Sequence, residues 1–217
     1  MTNGQTIEKF TAKAGEDISQ VLSSYGMYRL PAFTDGKVVF RDGSSGAGKM
    51  NYNIFLGEIQ FIDSKGDTLA LANPETIDSV LMGSSLFYYK KGYLLVIANY
   101  DAAKLVMRQK IEFRPVKLGA YGNESPGSSI EGYGRVTNSP YANNNHLTLN
   151  EDIIVLKSTT YYLYHKRFRE TEANHRGFQA AFPSIKEKMD AFIISNKIDF
   201  KKEPDLKQLL AFCDSQQ

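Results

Sequence analysis

RDGSSGAGKMNYN, residues 41 to 53, decides between two architectures. Gly43, Gly48 and Lys49 have the G-x-x-x-x-G-K spacing of a phosphate-cradling loop, which would mean a nucleotide-binding α/β fold. Such a loop needs a strand before it, a helix after it whose N-terminus faces the phosphates, and a Ser or Thr hydroxyl on magnesium. The hydroxyl position holds Met50, which cannot bind that metal. The residues beyond Met50 are not patterned as a helix: Tyr52, Ile54 and Leu56 alternate, then Ile59 and Phe61, the period of a strand. A downstream hydrophobic strand ending in a metal-binding Asp is also poorly met, because Leu94 to Ala98 leads to Asn99-Tyr100-Asp101 with the acid offset. The stretch therefore reads as strand, loop, strand. Gly43 to Lys49 is expected to be a mobile connection, and Met50-Asn51-Tyr52-Asn53 the start of a core strand.

Upstream, Ile18, Val21, Leu22 and Tyr25 recur at i, i+3, i+4 and i+7 before Gly26, which predicts a short helix with a glycine stop. Thr34-Asp35-Gly36 reads as a turn and Lys37 to Phe40 as a short strand. Downstream, Gly57-Glu58 shifts the phase of the alternation, predicting a β-bulge. Ser64 to Asp67 reads as a hairpin turn into Thr68 to Leu71, Asn73-Pro74 as another turn, and Thr76 to Met82 as a strand. Leu86 to Tyr89 and Tyr93 to Ala98 form a pair hinged at Lys90-Lys91-Gly92. In the next strand Leu105, Met107, Gln109, Ile111 and Phe113 share one face, with Lys104, Arg108, Lys110, Glu112 and Arg114 on the other. So many short strands predict an antiparallel β-sandwich or barrel-like sheet over 27–117.

Further strands are expected within 151–168, at Ile153 to Leu156 and Tyr161 to Tyr164, before a helical part over 174–217. There Ser184 and Glu187 match a capping box, Ile185, Met189, Phe192, Ile193 and Asn196 share a helical face, and Pro204 opens a last helix striped by Leu206, Leu209, Leu210 and Cys213. Two short amphipathic helices are unstable alone and need the sheet to pack on. The expectation is a mainly β member of the α+β class, one domain over 1–217, with two C-terminal helices.

Residues 118–150 break the pattern with repeated Gly, two prolines and Asn143-Asn144-Asn145. Aperiodic segments this long are uncommon in compact domains and often carry function. Tyr121, Tyr133, Arg135, Tyr141, Asn143, Asn144 and Asn145 are therefore the ligand-binding candidates.

Composition excludes several functions. The chain has 217 residues, is 42% hydrophobic and 23% charged, and contains no apolar run long enough to span a bilayer as a helix. With 26 Lys+Arg against 24 Asp+Glu, no global charge draws it to nucleic acid. Tyr161 to Arg169 mixes rings with basic residues as a nucleic-acid surface does, but Glu170 and Glu172 come directly after. Cys213 is the single cysteine, so neither an intrachain disulfide nor a cysteine zinc site can form. His146, His165 and His175 make no close pair, so no metal is expected unless the fold gathers them. No nucleophile elbow G-x-S-x-G is present. Glu58, Asp63, Asp67 and Glu131 have no spacing that marks them as a catalytic carboxylate pair, and Asp63 to Asp67 reads as a turn because it lacks the distal Glu of a calcium loop. No cofactor is expected. Met1 to Phe10 shows no signal peptide, although a removed signal would leave the same appearance.

Met50-Asn51-Tyr52-Asn53, Gly57-Glu58-Ile59-Gln60-Phe61-Ile62 and Gly66-Asp67-Thr68-Leu69-Ala70-Leu71-Ala72 resemble a group of uncharacterised exported proteins of Bacteroidetes bacteria. The resemblance covers about a quarter of the chain. It implies a periplasmic or secreted address, with the cytoplasm as the alternative, and brings no catalytic motif. The functional expectation is a non-enzymatic binding or structural protein of the cell envelope, with an unknown protein or glycan partner. The alternatives are a hydrolase whose site is assembled from distant residues, a glycan-binding module supplied by 13 Tyr and 13 Phe though no Trp, and a self-associating homo-oligomer with exposed sheet edges.

Overall fold

A computed structural model describes residues 5–118, 124–126, 152–165 and 170–216. The strands are β1 (Gln5–Ala12), β2 (Thr34–Phe40), β3 (Ser45–Asn53), β4 (Glu58–Ile62), β5 (Thr68–Ala70), β6 (Ile77–Met82), β7 (Ser85–Tyr89), β8 (Tyr93–Asn99), β9 (Ala103–Leu118), β10 (Glu124–Pro126), β11 (Ile153–His165) and β12 (Thr171–Glu172). The helices are α1 (Ile18–Ser24), α2 (His175–Ala181), α3 (Lys186–Asn196) and α4 (Glu203–Ser215). Neighbouring strands run antiparallel in the order β1-β11-β9-β8-β7-β6-β2-β3-β4-β5, with β10 on β9 and β12 on β11. Among the described residues β1 and β5 do not pair, so the sheet is open. The chain is thus mainly β and antiparallel with C-terminal helices, as its periodicities predict.

Paired residues in an antiparallel ladder share a face, so the register of β9 with β11 sorts their side chains. Leu105, Met107 and Phe113 lie opposite Leu163, Tyr161 and Val155, and all six belong to the main core. Against this inner face pack the helices: α4 on β8 and β9, α2 on β11, and α3 on α4. Leu206, Leu209, Leu210 and Cys213 of α4 are fully buried, each leucine contributing about 1.5–3 kcal/mol by leaving water. Burial also pushes the Cys213 thiol up to about 12, which keeps it protonated and unreactive.

The stretch 41–53 resolves differently from its composition. Gly43, at φ 86°, closes a tight turn in which Phe40 N–H donates to Ser44 O at 2.9 Å, and β3 begins at Ser45. Gly43 to Lys49 is therefore not a mobile connection. From Ser45 onward it is strand, paired with β2. Nor is Thr34-Asp35-Gly36 a turn: it starts β2, where Gly36 lies between Gly48 and Met82. A Cβ at Gly36 would sit 3.0 Å from the Leu81 carbonyl oxygen, so close strand approach demands this glycine.

Met50-Asn51-Tyr52-Asn53 forms the buried end of β3 and holds the segment 27–30 beside it. Asn51 accepts from the Leu30 amide at 3.0 Å and donates to the Leu30 carbonyl at 2.9 Å, mimicking a strand partner. Arg29 N–H donates to Tyr52 O and Ile54 N–H to Met27 O. Asn53 accepts from Leu56 N–H at 3.0 Å and caps the turn into β4. That turn, with Gly57 at φ 68° and Asn53 opposite Glu58, is a hairpin connection. It, and not a β-bulge, shifts the phase at Gly57-Glu58.

Two further expectations change at the C-terminal end. Ser184 makes no capping bond: Pro183–Ile185 is a 3-10 turn and α3 starts after Ile185. An additional helix, α2, precedes it, capped by Asn174 accepting from Gly177 N–H at 2.9 Å. Three helices, not two, therefore close the chain.

Candidate functional site

The outer face of the same strands is built by the residues that alternate with the core. There Lys104 lies opposite Tyr164, Val106 opposite Tyr162, and Arg108 opposite Thr160, while Leu94 on β8 lies opposite Tyr88 on β7. Leu94 and Val106 are 1% and 2% exposed, yet they stand apart from the main core. They line a cleft of about 590 Å³ together with Tyr88, Lys90, Tyr100, Lys104, Tyr164 and His165. Arg41, Asp78, Asn99 and Asp101 also line it.

Cations and rings form a connected layer on this face. Lys104 Nζ lies 4.9 Å from the Tyr88 ring centroid and donates to its hydroxyl at 3.3 Å. Lys90 Nζ lies 4.8 Å from the Tyr164 ring and 3.8 Å from Glu170. The Tyr164 hydroxyl donates to Glu170 at 2.9 Å. Burial first, then this bond to a carboxylate, raises the Tyr164 pKa above the ordinary phenol value, so the hydroxyl stays neutral and oriented. Arg108 stacks 5.2 Å from the Tyr162 ring and donates to the Lys90 carbonyl at 3.1 Å. A smaller polar hollow of about 240 Å³, lined by Arg108, Lys110, Glu112, Thr160 and Tyr162 among others, continues the same face.

Among the described residues, no carboxylate forms an ion pair with Arg41 or Lys104, and no cation with Asp78 or Asp101. The cleft thus offers ring surface, an apolar floor, and both donors and acceptors that a ligand can use. No group of three His, Cys, Asp or Glu suited to holding a metal occurs among the described residues.

The candidates from the long loop, Tyr121, Tyr133, Arg135, Tyr141, Asn143, Asn144 and Asn145, lie outside the described residues, as do His146 and Glu131. Within 118–150 only Leu118, which ends β9, and β10, which pairs with Val116 to Leu118, are described. His165 lines the cleft with its ring edge-on to Phe182. His175 instead sits on α2, its Nε2 2.7 Å from Asp190 Oδ1, a bond that holds the Asp190 carboxyl below its usual value. Asp63 is a turn residue, accepting from the Lys65 and Asp67 amides at 2.8 and 2.9 Å. Lys49 forms an ion pair with Asp35 across the β2–β3 hairpin at 3.0 Å; with strand on both sides, no helix N-terminus faces it. In the basic aromatic stretch, Tyr161 faces the core while Tyr162 and Tyr164 face outward, and 166–169 lie outside the described residues.

Sequence reasoning missed the cleft because Arg41, Asp78, Tyr100 and Tyr164 are far apart in the chain. One signal was present: in β11 both alternating sets carry aromatic or apolar residues, which an exposed sheet face does not require.

Comparison of the chain with protein-family models, curated proteins and solved structures finds no match in any of the three.

Proposed function

We propose that the protein is a non-enzymatic binding protein, exported to the cell envelope, and that the outer-face cleft is its site. The observation that carries this reading is the cleft of about 590 Å³ in which the half-buried rings of Tyr88 and Tyr164 stand beside Arg41, Asp78, Asp101 and Lys104. A cleft with ring surface and a few convergent polar groups is the usual form of a ligand site. The resemblance of Met50 to Asn53, Gly57 to Ile62 and Gly66 to Ala72 to exported Bacteroidetes proteins supports the envelope address. Asp78, Asp101 and His165 around one cleft keep a hydrolase as the second reading.

One screen separates the two. Melting temperature is monitored with neutral oligosaccharides, acidic oligosaccharides and tripeptides at millimolar concentration, and the same mixtures are checked for products by mass spectrometry. The binding reading expects a concentration-dependent rise with one class, lost in Tyr164→Ala, and no product. Products formed by the wild type and not by Asp101→Asn would make the protein a hydrolase, and no rise with any class would remove the cleft as a site.

A further inference from the structure

We infer that the outer-face cleft takes a short neutral saccharide, an inference that rests on the cleft being a binding site. Charge is the first reason. Arg41, Lys90 and Lys104 are balanced by Asp78 and Asp101 in the lining and by Glu170 beside Lys90. No net field selects an anion, so a nucleotide or a polyacid finds as many repelling groups as attracting ones.

Hydrogen-bonding type is the second reason. A sugar hydroxyl donates and accepts at once, and so uses a site that presents both kinds of group. Asp78 and Asp101 accept only and Arg41 and Lys104 donate only, and none of these four has an ion-pair partner among the described residues. Shape supplies the third. The half-buried rings of Tyr88 and Tyr164 present flat apolar surface to the C–H face of a pyranose, with Leu94 and Val106 buried beneath them. Lys104 and Lys90 now lie over those two rings. Such contacts are weak at solvent-exposed sites, so a sugar ring displaces the ammonium groups and leaves them beside its hydroxyls. A peptide bound as an added strand is disfavoured along β9, which is paired with β8 on one side and β11 on the other, and along Tyr93 to Leu95 of β8, which is paired with β7. At about 590 Å³ the cavity falls within the ~300–1,000 Å³ typical of small-ligand sites, room for a short oligosaccharide.

The test uses the whole chain and four probes: cellotriose, maltotriose, trigalacturonic acid and trialanine. Calorimetry gives the affinities, and the Tyr164 variants tie any binding to the cleft. One of the two neutral trisaccharides is expected to bind, with Tyr164→Ala and Asp101→Ala each weakening it at least about tenfold. Tyr164→Phe, which keeps the ring, should stay within about threefold of wild type, and Lys65→Ala, on a distant hairpin, should not differ. Melting temperatures establish that each variant is folded. Should trigalacturonic acid or trialanine bind in a Tyr164-dependent way while neither neutral sugar does, the saccharide inference is overturned and the binding reading stands. Neutral-sugar binding unaffected by both alanine variants overturns the placement, and no binding by any probe overturns both.

Discussion

Strand β3 contains two halves with opposite fates. Ser45 to Lys49 has the composition of a functional loop and is plain exposed strand, while Met50 to Asn53 carries no catalytic motif and is buried throughout. The difference lies in what each half meets. The glycine half pairs with Asp35 to Val39 of β2. The asparagine and tyrosine half is flanked by β4, by the segment 27–30, and by Phe87 and Tyr93 around the Tyr52 ring. Spacing between glycines and a lysine acquires chemical meaning only when a helix comes next, whereas an asparagine acquires structural meaning whenever a backbone needs a partner.

Three substitutions probe this contrast. Tyr52→Ala removes a ring 5% exposed that packs 5.3 Å from Phe87 and 5.9 Å from Tyr93; a loss of about 3–5 kcal/mol is expected in urea unfolding. A loss under about 1 kcal/mol would mean that the buried half is not special. Asn51→Ala leaves the Leu30 amide and carbonyl without their partner, and should destabilise by about 1–3 kcal/mol. Faster amide hydrogen exchange at Leu30 should accompany that loss, and unchanged exchange would show the clamp to be dispensable. Lys49→Ala breaks an exposed ion pair with Asp35 and should move stability by no more than about 0.5 kcal/mol. A nucleotide-dependent rise in melting temperature that this variant abolishes would restore the phosphate-loop reading.

Strand identity was legible wherever alternation alone determined it. Leu105 to Phe113 declared an inner and an outer face, and the register with β11 realises both. Composition misled where one residue type serves two conformations. Gly36 after Thr-Asp resembles a turn, but its use is close strand approach, and Ser184 with Glu187 resembles a cap while Pro183 draws that turn into 3-10 geometry. The cleft was the least legible feature. Its rings come from β7, the β8–β9 turn and β11, and its charges from beyond the end of β2, the start of β6, the two turns flanking β8, and β9. Most of the lining falls between Tyr88 and Val106, and only pairing of the sheet brings Arg41, Asp78, Tyr164 and His165 beside it.

The place of β1 in the strand order bears on how the chain is made. Gln5 pairs with Thr160 and Ala12 with Ile153, so β1 waits for a strand made far later in the chain. Joining such distant segments costs little extra entropy per added residue, but it delays the step, because non-local pairing comes after local pairing. The consecutive strands β6 to β9 can zip as they emerge. Until residues 153 to 160 are available, β1 is an unpaired strand bearing Ile7 and Phe10, interrupted by Glu8 and Lys9. Those two charges are the kind of residue that keeps a waiting strand from pairing with a neighbouring chain.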